Sequence, residues 1–108
     1  MKKLLLAFVL ACTSGATVAH ETQLLEVGRM WVDPDWPQEL KWLIKNTVPK
    51  EKRGINCVGF DKKGEPLFQR HTGSNNVRDF ATQLNTNMVG WNAMMVGEIK
   101  CVYEKTAY

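Results

Sequence analysis

Cys57 and Cys101 constrain this chain more than any other pair of residues. They lie in the stretch 55–103, which reads as strand (INCVGF), tight turn (DKKG), strand (PLFQRH), helix (NNVRDFATQLNTNM) and strand (from AMMVGEIKCVYE). A bond between them would tie 44 positions into one covalent loop, a constraint that the chain-entropy model values at about 4 kcal/mol. A domain of this size buries only about 60–65% of its unfolded surface, so such a bond could decide whether it folds. Bonded cysteines need Cα atoms within about 7 Å. Either the first and last strands of the stretch are neighbours or the bond is absent, and the first is the expectation.

The local patterns agree with that pairing. In the last strand Met95, Ile99, Cys101 and Tyr103 alternate with Glu98, Lys100 and Glu104, and Cys57 shares a face with Ile55. Both cysteines are thus expected to be buried on one sheet face. The turn 61–64 ends in Gly64, where positive φ is needed, and Pro66 opens the return strand, where its missing donor is tolerated. Upstream, 23–32 (QLLEVGRMWV) is a further strand, interrupted by Gly28. Trp36, Leu40, Leu43 and Ile44, with Thr47 and Val48 a turn later, follow helical spacing, capped by Asp33 or Asp35 and ended by Pro49. Val77, Phe80, Ala81, Leu84 and Met88 do the same for a second helix, capped by Asn76 or Ser74 and broken at Gly90.

The resulting order is β-α-β-β-α-β, an α+β domain. It fits a ferredoxin-like plait, but the usual plait puts its second and fourth strands on opposite edges, too far apart for the disulfide. The predicted fold is instead an antiparallel sheet with two helices packed on one face, one disulfide, and the last strand beside 55–60.

Residues 1–19 stand apart from that domain. Met1, Lys2 and Lys3 precede an apolar run at 4–11 (LLLAFVLA), and small residues follow to Thr17 and Ala19. This is the pattern of a cleaved export signal, leaving 20–108 as a single exported domain that begins at His20. A membrane span would need about 20 apolar residues, and Thr13, Ser14 and Gly15 interrupt this run. The segment 9–12 (VLAC) also resembles a bacterial lipobox, which would make Cys12 a lipidated first residue and tie the protein to a membrane. Either route disposes of the odd cysteine and leaves Cys57 and Cys101 as a pair in an oxidising compartment.

Charge excludes one class of partner. The chain has 14 Lys and Arg against 11 Asp and Glu, and losing Lys2 and Lys3 leaves 12 basic residues. No basic field remains for nucleic acid. No N-x-S/T acceptor occurs, as fits a bacterial envelope protein.

Two groups of residues carry candidate chemistry. A free His20 amine and imidazole, with His71 as a third nitrogen, would look like the histidine brace of exported copper proteins. Trp31, Trp36 and Trp42, with Met30, offer an aromatic platform for a glycan or a protein partner, with Trp42 and Trp31 the more exposed members; against that, a small core uses its largest side chains to fill itself, and the balance favours the core. Catalysis has little to draw on. Ser74 is the only serine beyond the export signal, the cysteines are committed, and no acid–base pair can be nominated. The expected function is a non-catalytic periplasmic or secreted protein-binding domain without cofactor: an inhibitor, an immunity or exclusion factor, or an envelope-assembly accessory. A small copper protein on His20 and His71, and an outer-membrane lipoprotein anchored at Cys12, are the alternatives.

Overall fold

Leu40, Trp42 and Ile44 alternate with Glu39, Lys41, Leu43 and Lys45, and this period of two decides the local structure. In the structure, a computed structural model that describes residues 23–49 and 52–104, all three alternate side chains are fully buried and the segment is a strand. The six strands are β1 (Glu26–Trp31), β2 (Glu39–Lys45), β3 (Ile55–Asp61), β4 (Pro66–Thr72), β5 (Ala81–Asn87) and β6 (Val96–Tyr103). They form two antiparallel three-stranded sheets, ordered β1-β2-β5 and β4-β3-β6. Among the described residues the only helical pieces are 3-10 turns at Ser74–Asn76 and Ala93–Met95.

The expected α+β fold with two helices is therefore corrected to a nearly all-β one. Both predicted helices are strands, β2 and β5, and they pair with each other along their whole length, from Glu39 opposite Asn87 to Lys45 opposite Ala81. The spacing misleads because Leu40 and Ile44, four apart, satisfy both periods. Trp42 between them belongs only to the strand period, and it is inside. In β5 the inward residues include Thr82 and Leu84. A buried threonine does not register as apolar, so the strand pattern is hidden there. The predicted caps form turns instead: Asp33 Oδ1 accepts from the Asp35 N–H at 2.9 Å in the β1–β2 loop, and Ser74 and Asn76 lie in a 3-10 turn.

The pairing inferred from the cysteines is present. Cys57 and Cys101 are direct partners in the β3–β6 ladder and are disulfide-bonded, with Cα atoms 4.1 Å apart. The Cys101 carbonyl accepts from Leu25 N–H at 2.8 Å on its other side. Its backbone groups thus face away from β3, making Cys57–Cys101 a non-hydrogen-bonded pair, the closer of the two kinds. The β3–β4 hairpin also forms as expected, with Gly64 at φ +89°.

The two sheets pack face to face. Leu40, Trp42, Ile44 and Leu84 from one meet Ile55, Cys57, Ile99 and Cys101 from the other. Trp42 is the largest fully buried side chain. Its ring lies 5.3 Å from Phe68, which stacks on Trp91 at 4.9 Å. Phe68 reaches that position by lying across Gly59, its partner in β3, where a methyl group would overlap the ring. The reading of Trp42 as an exposed platform member is corrected here: it is core. A fully buried aromatic truncated to alanine costs about 3–5 kcal/mol. Trp42→Ala is therefore expected to lower unfolding stability by that amount in urea denaturation; a loss under 1 kcal/mol would contradict this packing.

The hairpin turn carries a pH signature. Asp61 Oδ1 accepts from the backbone N–H groups of Glu65 at 2.9 Å and Lys63 at 2.8 Å. The bond from Glu65, aided by the one from Lys63, holds the Asp61 carboxyl below its ordinary range against an opposing desolvation. A lowered folded-state pKa gives stability that is complete above the unfolded value, near pH 4, and is lost as pH falls through the folded one. The denaturation midpoints of wild type and Asp61→Asn should therefore differ most near neutrality and converge once the pH has fallen through the lowered folded-state pKa. A gap independent of pH would refute the role of the carboxylate.

Candidate functional site

A sandwich of two three-stranded sheets has two seams where the sheets' edge strands meet. At one of them β1 faces β6. The strands run antiparallel and could form a ladder, yet among the described residues a single backbone bond crosses, Leu25 N–H to Cys101 C=O. Beyond it both strands depart from regular pairing with their own sheets. The β1–β2 register breaks between Val27 and Met30, around Gly28, and the β3–β6 register breaks between Phe60 and Asp61, beside Val96. Such irregularities bend a strand and end its pairing. The seam opens into a cavity of about 360 Å³.

Apolar side chains line that cavity on both sides, Leu24, Leu25, Val27 and Met30 from the β1 side and Val96 and Ile99 from the β6 side, while Glu98, Lys100 and the main chain make its wall nearly as polar as apolar. Because Cys101 turns its carbonyl toward β1, strand alternation turns the N–H and C=O of Ile99 the same way. The groove thus combines apolar contact surface with main-chain hydrogen-bonding groups along an edge.

The sequence-predicted platform is not assembled. Met30 is 39% exposed and lines the groove. Trp31 is half-buried beneath the Arg29 guanidinium, 4.8 Å from its ring centroid. Trp36, 56% exposed, stands on the β1–β2 loop, and Trp42 is internal. His71, the predicted copper ligand, lies on β4 with its Nε2 2.9 Å from the Glu104 carboxylate. Its proposed partner His20, the lipidation candidate Cys12 and the export signal at 1–19 lie outside the described residues. Among those described, no three His, Cys, Asp or Glu side chains gather in a metal-binding arrangement.

Sequence reasoning missed Leu24, Leu25, Val96 and Ile99 as groove residues, since each reads as an ordinary strand position. The available signals were Gly28 and Gly97. A glycine inside a strand marks a bulge or a close approach: Gly28 lies in the break after which β1 resumes its pairing with β2 at Met30, and Gly97 packs against the Asp61 backbone.

The chain matches no known protein family, and no characterised protein or solved structure is significantly similar to it. The disulfide, and the lack among the described residues of a helix long and apolar enough to cross a membrane, are compatible with export.

Proposed function

We propose that this chain is a non-catalytic protein-binding domain exported to the bacterial cell envelope, and that its β1–β6 groove takes an extended segment of its partner. The observation that carries this reading is the unzipped seam itself: one bond where a ladder would fit, above an apolar floor. Strand addition uses these two features together, main-chain bonds for affinity and pockets under alternate side chains for specificity. The segment that fits has apolar residues at every second position, to meet Val27, Met30 and Val96. Charged residues between them would face Glu98 and Lys100. An inhibitor, an immunity or exclusion factor, or an accessory of an envelope assembly would use such a groove to hold a chain terminus or loop of its target. Export is supported by the signal-like pattern of 1–19 and by the disulfide.

Two measurements test the reading. Nonapeptides of alternating apolar and charged residues, selected from a library against the folded protein, are expected to protect the Ile99 amide from hydrogen exchange. Replacing the exposed Leu24 and Met30 together by glutamate should weaken that binding about tenfold or more while leaving the melting temperature unchanged, as is usual for exposed positions. Binding that survives this double substitution, or that disappears on Trp36→Ala instead, would move the site away from the groove. For export, the intact protein recovered from a bacterial envelope should begin at His20 and weigh two hydrogens less than its reduced form. A mass beginning at a lipidated Cys12 would make it a membrane-anchored protein, and an uncleaved chain would remove the export reading.

A further inference from the structure

The second seam, between β4 and β5, has a different chemistry. No backbone bond joins these two edges among the described residues. A cavity of about 370 Å³ opens between them, lined by Arg70, Thr72, Asn76, Arg78, Gln83 and Asn85, with Leu84 at its floor and no acidic side chain. Arg70 is the register partner of Cys57, so its side chain sets out on the inward face of β4, into the opening. Neither Arg70 nor Arg78 has an ion-pair partner among the described residues.

The segment carrying Arg78 is held to an unusual degree. The Arg78 carbonyl accepts from the Thr47 hydroxyl at 2.7 Å, and the Arg78 N–H donates to Thr82 Oγ1 at 3.0 Å. The two hydroxyls lie 2.8 Å apart. Since Thr47 gives its proton to Arg78, Thr82 gives its own to Thr47, and the relay closes. Both threonines are buried. Two residues on, Phe80 has φ +76°, a left-handed conformation that is an outlier for a bulky side chain. Its N–H donates to Thr47 C=O at 2.8 Å and its carbonyl accepts from Asn46 N–H at 2.7 Å. The Phe80 side chain is 85% exposed, so no burial offsets the strain. Strain that is held in place without any packing gain is characteristic of positioned functional segments.

We propose that the β4–β5 seam is an oxyanion-binding site. The Arg70 and Arg78 guanidinium groups would grip a carboxylate, phosphate or sulfate, and the side-chain amides of Asn76 and Gln83 would complete its hydrogen bonds; the Asn85 amide already donates to Glu39 Oε1 at 3.4 Å. Arginine is suited to this by its planar fork of donors, which matches such groups two oxygens at a time. An inward-pointing charge on an edge strand also deters strand-to-strand aggregation, which would account for Arg70. It would not account for Arg78, whose backbone the threonine relay fixes from both sides. Thr47 and Thr82 are positioning residues in this scheme and do not touch the ligand. The site is independent of the β1–β6 groove.

Two-dimensional NMR titrations of the folded protein with sodium phosphate, sulfate and acetate, at constant ionic strength against chloride, test the proposal. Saturable shifts are expected at the Arg70 and Arg78 Nε–H and at the Gln83 side-chain amide, and not at Arg29 on β1, at the far edge of the β1-β2-β5 sheet. Arg70→Gln and Arg78→Gln should each weaken binding roughly tenfold, as loss of a hydrogen bond to a charged group does. Both residues are exposed, so folding should be unaffected. Thr82→Val, which frees the Arg78 N–H while leaving the charge, should weaken binding several-fold; Arg29→Gln should not. Preference for phosphate and sulfate over acetate would assign the site to a dianionic ester, and equal binding of acetate to a peptide carboxylate. Shifts that chloride reproduces, that spread to Arg29, or that persist in the Arg70→Gln Arg78→Gln double variant would overturn it.

Discussion

Cys101 is held from two sides. Its sulfur is bonded to Cys57 on β3, and its carbonyl accepts the Leu25 N–H from the start of β1. The first bond fixes the β3–β6 register at the centre of one sheet. The second ties the opposite sheet to the outer edge of β6. Without the first, β6 would have only its ladder to oppose the entropy of a 44-position loop. Without the second, the β1–β6 seam would have no closed end. The apolar groove is the opening left beyond that junction, so its shape depends on a cysteine at one position and on β1 bending away near Gly28.

The hydrophobic core serves the same geometry from within. Trp42 fills the space between the sheets, and Phe68 can approach it only because Gly59 presents no side chain beneath the ring. The Trp42 indole N–H is buried and makes no hydrogen bond among the described residues, which costs about 1–3 kcal/mol. A ring of this size recovers more than that from apolar burial and dispersion. Tryptophan at 42 is thus chosen for volume rather than for its polar edge, the opposite of what a recognition residue would require.

How much of this was legible follows from which residues carry a single meaning. The two cysteines had one if they bond: Cys101 alternates with Glu98, Lys100 and Glu104, Cys57 shares a face with Ile55, and the reach of a disulfide puts β3 beside β6, the pairing that is found. Gly64 and Pro66 likewise defined a hairpin without reference to anything distant. The segments 39–45 and 81–87 had two meanings. Leu40 and Ile44 satisfy a helix and a strand alike, and glutamate, lysine and leucine favour the helix locally. Tertiary burial on a pleated surface overrode that preference. In 81–87 the deciding residue was Thr82, whose inward position makes sense only beside Thr47, 35 positions earlier. A partner that distant leaves no periodic trace. The groove was illegible for the same reason, since it is made by two strand edges failing to meet, and only Met30 of the proposed platform lies on it.

The two seams also differ in what they admit. A six-stranded antiparallel sandwich of this order could close into a barrel and leave no edges at all. At β4–β5 closure is opposed by an inward-pointing arginine, which disfavours any incoming strand because its charge would be buried without a partner. At β1–β6 nothing of the kind stands in the way: the inward residues are Val27, Val96 and Ile99, and the irregularities in β1 and β6 keep the edges apart without charging them. One edge is guarded and the other is left open. On the two proposals, an extended apolar segment would be directed to the β1–β6 groove and an oxyanion to the β4–β5 seam. With the sheets packed between them, both ligands could then be held at once without sharing a residue.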